Sequence, residues 1–143
     1  MSVFVLQEID NIEISPKEII KEIKLKNANK IVIGHLNINS LRNKFECLKY
    51  LIGENIDIFL VSETKLNESF PDTQFIIDGF QPPYRKDRSN KGDKGGGLIL
   101  YVHNNIPSRI IDIKLSSHIE ALVVEINFKK KKWLLICLSL IHI

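Results

Sequence analysis

The sequence predicts an α/β domain that ends as a β meander. Two apolar runs of strand length, Lys30-Ile-Val-Ile-Gly-His-Leu-Asn37 and Asp57-Ile-Phe-Leu-Val-Ser-Glu63, each finish on a polar residue. Between them Leu41, Phe45, Leu48 and Ile52 recur at i, i+4, i+7 and i+11, which is one face of a helix. Beyond residue 97, strand patterns follow one another without a helical period. Strand, helix, strand in that order builds a parallel βαβ unit with a right-handed crossover. The polar ends Asn37 and Glu63 then emerge on one edge of the sheet, the edge that ligands favour in open α/β sheets. An amide and a carboxylate brought together there could hold a hard cation and a phosphate.

The elements follow in chain order. Residues 1–29 read as an N-terminal extension, either part of the fold or a linker. Within it Ser15 can cap a short helix that Pro16 opens. The first strand is 30–36 and the helix 41–52, with Asn39 or Ser40 as cap and Gly53 at its end. The second strand is 57–62. A polar loop covers 64–72 and a short strand 74–78. Residues 79–96 read as a long exposed loop, rich in glycine, proline and charge. Strands at 97–103, 108–114, 119–127 and 132–138 complete the chain. The last two are joined at Lys129-Lys130-Lys131, a hairpin without glycine.

Bulk properties bound the function. The 143 residues suffice for one domain with one core. Hydrophobic residues make up 44% and charged residues 26%, which is ordinary globular composition. The net charge of +3 is compatible with a phosphate-bearing partner but does not argue for one. The two cysteines, Cys47 and Cys137, read as buried free thiols rather than a disulfide or zinc site. No apolar stretch approaches the ~20 residues of a membrane span. Met1 to Leu6 lacks the basic start of a signal peptide. The expectation is an intracellular protein, nuclear or cytoplasmic, neither secreted nor held at a membrane.

Three motifs in combination carry a resemblance. They are His35-Leu-Asn-Ile-Asn-Ser-Leu-Arg-Asn-Lys-Phe45, Asp57-Ile-Phe-Leu-Val-Ser-Glu-Thr-Lys-Leu66 and Gly95-Gly-Gly-Leu-Ile-Leu-Tyr-Val102. Phe70-Pro71, Gly79-Phe80, Arg85-Lys86-Asp87-Arg88 and the run Ile119 to Ile126 add to them. From about residue 30 to 137 the chain resembles the apurinic-like endonuclease domain of non-LTR retrotransposons, in the endonuclease/exonuclease/phosphatase superfamily. The resemblance implies a four-layer α/β sandwich and a Mg²⁺-dependent phosphodiesterase that nicks DNA. In the full family that domain is fused to a reverse transcriptase. It implies that Asn37 organises metal and phosphate and that Glu63 is a metal ligand.

The same resemblance exposes a departure. The family continues with a phosphate-facing Tyr, an Asp-x-Asn motif, a later Asp and a terminal Asp-His pair. Here Trp133-Leu-Leu-Ile-Cys137 leads into Leu138-Ser-Leu-Ile-His-Ile143. The expectation is an incomplete four-layer sandwich, truncated by a frameshift or splice event near Cys137, with 138–143 an aberrant tail. Such a chain is expected to have little or no nuclease activity. The alternatives are a non-catalytic DNA- or protein-binding remnant and a pseudogene product without a role.

Other candidates divide between function and packing. Arg85, Lys86, Arg88, Lys91 and Lys94 could contact DNA phosphates or form a solvated loop. Asn39 reads as a cap rather than a ligand, and His35 as a packing histidine on the side of Asn37. His142 has no Asp before it and carries no role. Lys129 to Lys132 read as an exposed hairpin tip. Gly95-Gly96-Gly97 resembles a phosphate cradle, but no helix follows, so a bulge or a close backbone crossing is the better reading. An apolar strand at 133–138 left uncovered should self-associate through its sheet edge or seek a partner.

Overall fold

The computed structural model describes residues 2–5, 15–88, 95–116 and 118–140. Residues 2–5 and 15–29 belong to the fold. Strand β1 (Ser2–Val5) pairs in parallel with β2 (Val32–Asn37), from Ser2↔Val32 to Val5↔His35. Helix α1 (Pro16–Lys26) starts at a capping box: Glu18 N–H donates to Ser15 Oγ at 3.3 Å and Ser15 N–H to Glu18 Oε2 at 3.4 Å. The helix is tied down near its far end, where Lys24 Nζ lies 2.7 Å from Asp57 Oδ2. The same oxygen accepts the Val32 N–H at 2.7 Å, which fixes the entry to β2.

Helix α2 (Phe45–Ile52) crosses from β2 to β3 (Ile58–Ser62), and the two strands run parallel. Phe45, Leu48 and Ile52 are buried as their spacing requires, each contributing about 1.5–3 kcal/mol. The helix starts later than its pattern suggests. Lys44 is its N-cap and makes no side-chain cap bond. Asn39 and Ser40 do not cap; they hold left-handed backbone, φ 47° and 85°, and Ser40 N–H donates to Glu63 O at 2.8 Å. Tying two strand exits together has taken precedence over capping.

Two further expectations give way. Residues 74–78 form no strand; a 3₁₀ turn, Asp72–Phe75, drops Phe75 into the core edge-on to Phe45, with ring centroids 5.4 Å apart. The loop expected over 79–96 contains β4 (Tyr84–Lys86), antiparallel to β5 (Leu98–Val102). β5 in turn pairs antiparallel with β3, giving a five-stranded sheet in the order β1-β2-β3-β5-β4. A second sheet holds β6 (Ser108–Ile110), β7 (Ile119–Phe128) and β8 (Lys131–Leu140) as an antiparallel meander. β6 is shorter than the expected 108–114. The two-residue turn joining β7 and β8 puts Lys129 at φ 50° and Lys130 at φ 61°, the twist that hairpins favour and that glycine usually supplies.

The protein is therefore mixed α/β in three layers: helices, five-stranded sheet, three-stranded sheet. One core lies under the helices and joins Leu48, Ile52, Phe59, Val61, Ile99 and Tyr101. The other lies between the sheets and joins Ile58, Leu98, Leu100, Leu122, Val124 and Cys137. β5 is buried along its whole length because it serves both. On the outer face of β8, Leu134, Ile136 and Leu138 remain 59%, 60% and 59% exposed. Among the described residues no helix is long and apolar enough to cross a membrane.

Both cysteines are free thiols, but Cys47 is exposed, because it falls on the solvent side of α2. Cys137 is buried between the sheets, and burial pushes its thiol up to about 11. Its folded value lies above its unfolded one, so its contribution is fully present below about pH 9 and is lost towards pH 11. Over that window the wild type should lose about 2–3 kcal/mol more stability than Cys137→Val. Urea unfolding of both proteins at a series of alkaline pH values measures the difference, and parallel pH profiles would contradict it.

Candidate functional site

The parallel ladder of β2 and β3 ends with Asn37 opposite Ser62, and Glu63 is the next residue. Asn37 and Glu63 therefore leave the sheet at one rim, as their positions in the sequence predict. The Asn37 side chain is exposed, and its Oδ1 accepts the Asn39 N–H at 3.2 Å. Glu63 is half-buried, and its Oε2 accepts the Gly96 N–H at 3.0 Å. His35 is exposed rather than packed in a core, and its Nε2 lies 3.1 Å from Ser62 Oγ.

The rim is built from irregular backbone. Thr64 N–H donates to Gly97 O at 3.3 Å and Lys65 N–H to Gly96 O at 2.9 Å, which extends the contact of β3 with β5 past the regular strands. Leu41 N–H donates to Thr64 O at 3.0 Å from the other side. Among the described residues six non-glycine positions have positive φ; four of them, Asn39, Ser40, Glu63 and Lys65, lie here. Such residues cost of order 1 kcal/mol or more each and tend to gather where function demands them. Gly96 and Gly97, at φ 82° and 96°, form the close backbone crossing expected for Gly95-Gly96-Gly97.

Sequence reasoning passed over one residue at this rim. Glu120 is 4% exposed, and its Oε2 accepts the Gly97 N–H at 2.9 Å. Its Oε1 is buried and has no hydrogen-bond partner among the described residues. The signal was present in the strand pattern. Glu120, Leu122, Val124 and Ile126 are the inward positions of β7, and a carboxylate among three aliphatic residues is out of place unless something meets it.

The basic residues separate. Arg85 is turned inward, with its side chain 10% exposed, against the expectation of an exposed loop. Its Nε and Nη2 donate to the Asp87 carboxylate at 2.8 and 2.7 Å, and Nη1 donates to Asp72 Oδ1 at 3.0 Å. Phe70 O and Asn67 O accept the remaining two N–H groups at 2.5 and 2.6 Å. Burial alone would lower its pKa, but the bonds and charges of Asp87 and Asp72 outweigh that and raise it. All five donors are thus committed inside the protein, which leaves none for a phosphate. Arg88 instead lies at the rim, its Nη1 close to Gly95 and its Cδ close to Gly96. Lys86 is exposed. Lys91, Lys94 and His142 lie outside the described residues.

The donor set suits a hydrated hard cation. Asn37 and Glu63 offer oxygen atoms, and Glu120 has an oxygen without a partner. Among the described residues no three of His, Cys, Asp and Glu gather as a metal cage. Mg²⁺ needs no such cage, because it keeps several waters and binds through one or two carboxylates. In comparisons with known proteins, no family model matches the chain, and no curated protein matches it either.

Proposed function

We propose that the chain carries the N-terminal part of a Mg²⁺-dependent DNA endonuclease, a phosphodiesterase of the non-LTR retrotransposon type, in an incomplete four-layer sandwich. The observation that carries this reading is the shared rim: Asn37 and Glu63 end adjacent parallel strands, and Glu63 is held by a main-chain N–H from the glycine crossing. The concentration of left-handed residues at that rim supports it. So does the sandwich of a mixed sheet against an antiparallel one, with one outer face left bare.

In this reading Asn37 and Glu63 hold the cation and orient a phosphate. Mg²⁺, when bound, would stabilise the charge developing on the phosphoryl group and its leaving oxygen. The Gly96 N–H holds Glu63 Oε2 at 3.0 Å, which orients the carboxylate at the rim before any ion binds. No Asp-His pair stands among the 143 residues to orient water or move its proton. The chain by itself is therefore expected to leave supercoiled plasmid intact in Mg²⁺.

Joining residues 1–137 to the C-terminal half of a non-LTR endonuclease domain supplies the absent groups. A folded chimera, checked by its thermal transition, should nick plasmid with Mg²⁺, and Glu63→Ala should reduce the rate at least about 100-fold. A folded chimera that does not nick, or one indifferent to Glu63→Ala, counts against the reading.

A second reading is a non-catalytic remnant that binds protein, DNA or another copy of itself. The exposed Leu134, Ile136 and Leu138 on β8, an edge strand, favour self-association or a protein partner. DNA binding would rest on Lys86, Arg88 and Lys91 rather than on Arg85.

A further inference from the structure

Glu120 and Arg88 meet at the glycine crossing from opposite sides of the charge scale. Glu120 reaches the crossing from β7, in the second sheet, while Arg88 follows β4, in the first. A methyl group placed on Gly96 would lie 2.5 Å from Glu120 Oε1 and 3.1 Å from Arg88 Cδ. One placed on Gly95 would lie 3.1 Å from Arg88 Nη1 and 3.6 Å from Glu63 Oε2. The Arg88 side chain thus passes both glycines, and the Glu120 and Glu63 carboxylates reach the same two positions, Glu120 at Gly96 and Glu63 at Gly95. Both carboxylates are anchored to the crossing, Glu63 by Gly96 N–H and Glu120 by Gly97 N–H. Each spends one oxygen on that anchor, and for Glu120 the other is buried without a hydrogen bond.

We propose that Glu120 is the second carboxylate of the cation site, and that Arg88 is an internal cation which a divalent ion displaces on binding. This rests on the metal-dependent reading above and adds two residues to it. A buried carboxylate oxygen is retained at a cost to the fold unless a positive charge answers it. A guanidinium supplies one charge at the end of a long, rotatable stem, whereas a divalent ion supplies two at a point and prefers carboxylate oxygen. A purely structural Glu120 would need no charge, since a glutamine can accept the Gly97 N–H equally well.

Mn²⁺ binding to the 143-residue protein, followed by the electron paramagnetic resonance signal of the free ion, tests this without any catalytic readout. Arg88→Met keeps the stem and removes the charge, and should tighten Mn²⁺ binding about fivefold or more. Glu120→Gln keeps the Gly97 acceptor and should weaken binding about tenfold, while its melting temperature in chelator stays at or above that of the wild type. Mn²⁺ bound by the wild type with equal affinity in both variants overturns this inference and leaves the metal reading standing. Weaker binding in Arg88→Met overturns it too. No Mn²⁺ bound by either the wild type or Arg88→Met overturns both.

Discussion

Replacing Arg85 with alanine should destabilise the protein by about 3 kcal/mol, among the largest effects of any single charged residue. The guanidinium is 10% exposed and makes five hydrogen bonds, two of them a fork onto the Asp87 carboxylate. Removing it strands the carbonyl of Phe70, takes from that of Asn67 one of its two donors, and leaves Asp87, itself only 21% exposed, with an unanswered charge. Asp72 is 65% exposed and adds little to the loss. Arg85→Lys should recover less than half of it, because an ammonium cannot reproduce the planar fork. Urea unfolding measures both variants, and a loss below about 1 kcal/mol for Arg85→Ala would show that the network is dispensable. The result also decides how DNA binding must be probed. Charge reversal at Arg85 would disturb the fold, so any binding it abolishes says nothing about phosphate contacts.

Gly97→Ala should cost about 3 kcal/mol or more, from two separate sources. Its φ of 96° is strained for any residue with a Cβ, and the added methyl would collide with Thr64 Oγ1. Thr64 is 1% exposed and its N–H donates to Gly97 O, so it cannot move aside without breaking the rim. Gly79 separates the two sources. Its φ of 86° is similar, but a methyl there would meet nothing closer than His103 Nε2 at 3.8 Å. Gly79→Ala should therefore cost only about 1 kcal/mol, the backbone part alone. Equal losses at the two positions would mean that the collision is relieved and the crossing is looser than its contacts imply. If the crossing does hold the carboxylates, Gly97→Ala should also weaken Mn²⁺ binding, while Gly79→Ala should leave it unchanged.

Much of the architecture could be read from short-range pattern. The βαβ unit follows from two apolar runs and one helical stripe, and the rim shared by Asn37 and Glu63 follows from that unit. The closing hairpin was legible although its turn has no glycine, since ten-residue strands on either side outweigh the cost of two left-handed lysines. Three local expectations failed for one reason. Asn39 and Ser40 have the chemistry of caps, Phe75 and Ile77 the look of a strand, and Arg85 the look of a solvated loop. In each case a partner distant in sequence decided the outcome: Glu63 O for Ser40, Phe45 for Phe75, and the carbonyls of Asn67 and Phe70 for Arg85. The status of residues 1–29 was equally undecidable from the chain, because β1 has no meaning until β2 pairs with it.

The amino-acid order alone determined the class of fold, the parallel pairing of the two strands that flank α2 and the rim at which Asn37 and Glu63 emerge. Those features depend on periodicity and chain order, which are local. Only the tertiary structure decided that Glu120 and Arg88 meet at that rim and that Arg85 does not. Those placements depend on two sheets and a glycine crossing brought together from segments tens of residues apart, and no local pattern encodes which side chains such a closure leaves facing one another.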